Sequence, residues 1–166
     1  MAAKTALIYS DAWTRFDYGP QHPLRMERLG LTWRLMQAYG LSTLPGATVR
    51  APEPAPESAL ASYHDGEYLE MLKACNGGQA PMGAERFGLG PGDNPVFPGL
   101  WDAARLCAAG SILAADLVLS GGADRVFRGR TDFDRIASSR RHDADKDAVA
   151  QLHKLVLPYA GNVQER

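Results

Sequence analysis

Thr5-Ala-Leu-Ile-Tyr-Ser10 is a short apolar run of strand-favouring residues that ends in a polar turn, and the reading of the fold starts from it. A run of this length bounded by turn signals describes a buried strand at the start of a sheet. A loop of Gly, Pro and aromatic residues, Phe16 to Gln21, follows. Pro23 can then occupy the first turn of a helix that runs to about Tyr39, with Gly40 as its stop. Leu24, Leu31, Leu35 and Ala38 recur at helical spacing and predict its apolar face. Ala51 to Pro56 (APEPAP) cannot continue a helix and reads as a loop before a helical turn near Glu57 to Ser62. Asp65 is a fitting N-cap for the next helix, which takes in Tyr68, Leu69, Met71 and Leu72. Asn76 to Asn94 is rich in Gly and Pro, so its backbone can bend tightly and approach a ligand. A long Ala-rich helix follows, roughly Gly99 to Leu119, ended by Gly121 and Gly122, and Asp124 to Phe127 begins another strand. Strand, helices, loop, helix, strand is the order of an α/β domain with a mainly parallel sheet flanked by helices.

The 166 residues are 45% hydrophobic and 22% charged, which fits one domain with an ordinary core. A formal charge of −1 excludes a broad electrostatic hold on nucleic acid or on an anionic membrane, and leaves small polar or peptide partners open. Cys75 and Cys107 belong to no CxxC pair and no His cluster, so a disulfide framework or a structural zinc site is not expected. No stretch approaches a membrane span, the apolar run after Met1 is too short for a signal peptide, and a cytoplasmic location is expected. There is no G-x-G-x-x-G after a strand and no phosphate-binding loop. Composition changes at Arg128: charged residues number 23 of the first 127 and 14 of the last 39. Residues 1–127 are therefore read as one unit and 128–166 as a divergent tail, with one amphipathic helix at about 143–157 through Val149, Leu152, Leu155 and Val156.

Four segments in order carry a family likeness. Asp17-Tyr-Gly-Pro-Gln-His-Pro-Leu-Arg-Met-Glu-Arg-Leu-Gly-Leu-Thr32 contains His-Pro with an Arg five residues after the proline. Tyr63-His-Asp-Gly-Glu-Tyr-Leu69 has the form H-x-x-Y-L, and Gly90-Pro-Gly-Asp-Asn-Pro-Val-Phe-Pro-Gly-Leu100 the form D-x-P-x-F-x-G-L. The long helix to Gly122 with the strand onset at Asp124 is the fourth. Together they resemble the N-terminal portion of the zinc-dependent histone deacetylase and acetoin-utilisation deacetylase family, over residues 5 to 127. The resemblance implies a partial arginase/deacetylase-type fold, and in complete members a zinc ion that polarises an acetyl carbonyl and activates water. It implies that Asp93 is the rim aspartate that accepts hydrogen bonds from the backbone of an acetylated lysine or a polyamine-type substrate, a role that suits a charged acceptor. By the same likeness Arg28 lies near the foot of the substrate tunnel, and Phe97 with Pro95 shapes the loop beside Asp93.

Each of these residues has a plainer reading. Asp93 in GPGDNP can cap its own turn, and Arg28 can be a surface helix residue paired with an acid. His22 and the His64-Asp65 pair suit capping or packing, and Trp13, Trp33 and Trp101 suit the core or its border. The family's G-G-x-H-H and D-x-D-x-H motifs do not occur: where the first would follow the strand, the chain reads Val126-Phe-Arg-Gly-Arg-Thr-Asp-Phe-Asp134. His142 with Asp143, Asp145 and Asp147 could be drawn as a metal cluster, but acids at a helix start answer to the helix dipole. A zinc site needs about three protein ligands and an open position. No catalytic residue, no metal ligand and no cofactor are therefore expected in this chain, which reads as a truncated deacetylase inactive alone. A non-catalytic interaction module or one half of a split enzyme, using an exposed sheet edge, is the rival. Truncation followed by unrelated or frame-shifted sequence, and evolved replacement, both remain open as the origin of the tail.

Overall fold

The computed structural model describes residues 4–129. The tail helix expected at about 143–157 and the cluster around His142 lie outside them. Among the described residues three parallel strands form the sheet: β1 (Thr5–Ile8), β2 (Ala47–Arg50) and β3 (Arg125–Arg128), in the order β2-β1-β3. Thr5 is level with Ala47 on one side and Arg125 on the other, and Ile8 with Arg50 and Arg128. The central strand is covered on both faces, which is why its sequence is continuously apolar: Ala6, Leu7 and Ile8 are all buried. Both flanking strands carry arginines and are more open, as edges are.

β1 leads through helix α1 (Glu27–Ala38) to β2. β2 leads through α2 (Glu57–Ala61), α3 (Gly66–Ala74) and α4 (Leu100–Leu119) back across the sheet to β3. Right-handed crossovers that step in opposite directions place α1 and α4 on opposite faces. The end of β3 agrees: the Arg128 side chain lies against Gly110 of α4, whereas Gly129, next in line, faces Leu29 of α1.

α1 begins at Glu27, four residues after the predicted start. The chain before it is folded into tight turns, with His22 N–H donating to Gly19 O and Arg28 N–H to Arg25 O, so no α-helical register exists at Pro23. Its buried side also differs from the predicted face. Met26 and Leu29 are buried and Trp33 stacks on Tyr9 at 4.7 Å, while Leu31 and Leu35 are 52% and 58% exposed. α3 and α4 stand where the sequence puts them. Asp65 accepts the Glu67 N–H at 2.8 Å as the N-cap of α3. α4 is capped from outside itself: Asn76 Oδ1 accepts the N–H groups of Trp101 at 2.9 Å and Asp102 at 3.4 Å. The core gathers Trp13, Leu69, Leu89, Leu100, Cys75 and Cys107 between α3, α4 and the loops that precede them.

Candidate functional site

The Gly/Pro-rich loop is pinned at its base and open at its tip. Its base is fixed to the end of α3 by an antiparallel bridge of Gly77 with Pro98 and by the bond from Gly99 N–H to Asn76 O at 2.8 Å. Gly78 has φ +84°, and a Cβ there would stand 2.7 Å from two ring carbons of Pro98, so the approach requires glycine. Phe97 is buried and anchors the loop in the core through Phe16 at 6.4 Å and Tyr18 at 5.4 Å between ring centroids. Between Gly88 and Asn94 the loop closes on itself: Gly90 N–H donates to Asn94 O at 3.0 Å, and Asn94 Nδ2 to Gly88 O at 3.1 Å. Asp93 is at the exposed part of this closed turn.

The second wall is the Asp17-to-Leu24 segment. Asp17 Oδ1 accepts the Gly19 N–H at 2.9 Å and sets the first turn. His22 both caps and packs: its Nδ1 accepts the Leu24 N–H at 3.1 Å, and its ring stacks on Tyr18 at 4.6 Å. Its Nε2 lies 3.3 Å from the backbone oxygen of Asp93, joining segments 71 residues apart. Tyr18 is buried between His22 and Phe97. Arg28 is half-buried in the first turn of α1, just beyond this segment. The structure thus gathers Asp93, Phe97 and His22 around one loop pair. Reading the sequence alone missed Tyr18 as their common packing partner, although Tyr-Gly-Pro-Gln-His is an unusual place for two stackable rings.

A second aromatic group sits at the start of α3. His64 lies 4.8 Å from the Tyr63 ring and 5.3 Å from Tyr68, and burial holds its pKa below the usual histidine value. Burial, then the nearby Cys75, pushes the Tyr68 phenol up to about 12. Both groups are thus neutral near pH 7 and serve packing rather than charge.

The zinc implied by the likeness calls for a set of His, Cys, Asp or Glu ligands. Among the described residues no three His, Cys, Asp or Glu side chains come together to hold a metal ion. The described part of the chain does not fit the metal. No helix among the described residues is long and apolar enough to cross a membrane.

Residues 22–131 match the histone deacetylase domain family. The chain is 32% identical over 137 residues to the acetoin utilization protein AcuC of Bacillus subtilis, covering 76% of this chain and 35% of that protein. It is 36% identical over 101 residues to histone deacetylase 9 of Arabidopsis thaliana, covering 59% of this chain and 23% of the relative. The crystal structure of a histone deacetylase homologue from Aquifex aeolicus superposes with a TM-score of 0.64 at 25% identity, covering 74% of this chain and 32% of that one. The chain spans about a third or less of the length of these relatives. Motif order, sheet topology and matched residues agree, and the chain belongs to the histone deacetylase family as a partial, N-terminal region of it.

Proposed function

We propose that this chain is the substrate-facing portion of an amide-hydrolysing deacetylase, that it holds an acetylated lysine or a polyamine-type ligand at the Asp93 loop, and that it does not hydrolyse the amide alone. The observation that carries the reading is the position of Asp93: exposed, in a turn closed by its own hydrogen bonds and fastened to His22, inside the matched region. A carboxylate held in this way can accept two backbone N–H groups of a ligand without first ordering its own loop. Arg28, near the base of the same segment, is a cation suited to a small carboxylate product, and Phe97 serves by fixing the loop. The described residues bring no three possible metal ligands together, which is why hydrolysis is assigned to a fuller domain rather than to this portion. We place the protein in the cytoplasm.

The test is elemental analysis of protein purified with zinc, together with turnover of an acetyl-lysine peptide. The reading expects no stoichiometric zinc and no turnover. Bound zinc with turnover abolished by Asp93→Ala would refute it.

One observation favours a second reading, half of a two-part enzyme. Among the described residues β3 pairs only with β1, and Phe127 in β3 is 46% exposed. An open parallel edge of this kind accepts a further strand. Turnover on mixing with the separately expressed remainder of a deacetylase domain would support that reading. Absence of any complex would end it.

A further inference from the structure

We infer that His22 is a positioning residue for the Asp93 loop and acts as one defined tautomer, the neutral ring with its proton on Nε2. The inference rests on the reading of Asp93 as a ligand-holding group. Leu24 N–H donates to Nδ1 at 3.1 Å, so Nδ1 carries no proton. The single proton of the neutral ring is then on Nε2, which faces the Asp93 carbonyl at 3.3 Å and can only donate to it. The ring plane is fixed as well, by stacking on Tyr18 at 4.6 Å and 18°, and Tyr18 is itself held edge-on by Phe97 at 5.4 Å and 67°. One imidazole thus connects a backbone N–H of the first segment to a backbone C=O of the second. It holds the Asp93 carbonyl while Asp93 itself stays exposed, so that a ligand can reach its carboxylate. Phe97 fastens the chain just after the turn and His22 holds Asp93 within it, so the C-terminal side of the Gly88–Asn94 turn is held at two points.

Two substitutions separate this role from simple packing. His22→Gln keeps a donor at the depth of Nε2, and His22→Asn keeps an acceptor at the depth of Nδ1 but cannot reach Asp93. The reporter is amide exchange at Gly90, whose N–H is covered by Asn94 O only while the turn is closed. His22→Asn should speed Gly90 exchange about five-fold, the ratio given by one neutral hydrogen bond, and should weaken binding of an acetyl-lysine peptide by a similar factor. His22→Gln should restore both. On the unaltered protein, the nitrogen-15 shifts of His22 should show Nε2 protonated and Nδ1 bare, a signature that needs no variant to fold. A protonated Nδ1, or equal Gly90 exchange in His22→Asn and His22→Gln, would overturn the inference. If Gly90 exchange separates as expected while Asp93→Ala binds the peptide as well as the unaltered protein does, the clamp is supported and the ligand-holding reading of Asp93 falls.

Discussion

Gly110→Ala sets two effects of opposite sign against each other. Gly110 lies inside α4, where helix propensity alone would make alanine more stable by about 1 kcal/mol. A Cβ at that position would stand 2.9 Å from Cζ2 of Trp13, 3.4 Å from its Cη2 and 2.9 Å from Cδ of Arg128. The arginine methylene can swing aside, but the indole cannot. Trp13 is 1% exposed, its Nε1–H reaches Leu106 O at 3.4 Å, and the Tyr9 ring meets it at 6.4 Å, edge to face. Accommodating the methyl therefore means prising α4 from the turn that carries Trp13, an overpacking that costs about 1 to 3 kcal/mol. The net expectation is a loss of about 1 kcal/mol, or roughly 2 to 4 °C in Tm for a chain of this size. Calorimetry or urea titration of the single variant reads the sign. In a Trp13→Phe background the obstructing indole edge with Cζ2 and Cη2 is gone, so the same change should become neutral or stabilising, a coupling of about 1 kcal/mol or more. A higher Tm for Gly110→Ala in the otherwise unaltered protein would refute the reasoning, since propensity would then have outweighed the contact.

Gly78→Ala should destabilise by about 2 to 4 kcal/mol, because positive φ and the 2.7 Å approach to Pro98 both penalise a side chain; a urea midpoint unchanged by the substitution would contradict this. Asp65→Ala removes the bond to Glu67 N–H and should cost about 1 kcal/mol, most of which Asp65→Asn recovers. Cys75 is fully buried and burial raises its thiol pKa, so neither it nor Cys107 should react with a thiol reagent near neutral pH until the protein unfolds; immediate labelling would show the core to be open. Because burial lowers the His64 pKa, the unfolded chain binds that proton first. The corresponding stability is complete above about pH 6.5 and is lost as pH falls through the folded value. Replacing His64 by Gln should flatten this acid slope, measured by denaturant titration at several pH values, and an unaltered slope would assign it to other groups.

The elements that the sequence made legible are those with local punctuation. Asp65 marks the start of α3, and the long Ala-rich run between Gly99 and Gly121 marks α4. β2 was not legible: Ala47 to Arg50 is a short edge strand with three of its four residues exposed, so it shows neither alternation nor an apolar run. The orientation of α1 is not legible in the sequence because apolar residues occur all around it. Periodicity cannot say that the sheet takes Met26, Leu29 and Trp33 and leaves Leu31 and Leu35 outside. Asp93 stands out in the sequence by its motif and not by its chemistry. Its tie to His22 is a backbone contact between distant segments, and such a contact has no local signature.

The strand order also decides when the protein can begin to fold during synthesis. β1 leaves the ribosome before either of its neighbours, yet it is the middle strand, and its second neighbour ends at Arg128. At ordinary elongation rates the apolar run Ala6-Leu7-Ile8 waits on the order of ten seconds before both of its edges can be taken. Over that interval it is a sticky nascent segment, and slower translation of the Gly/Pro-rich loop and α4 would prolong the exposure. Yield of soluble protein should therefore respond to elongation speed and to chaperone supply.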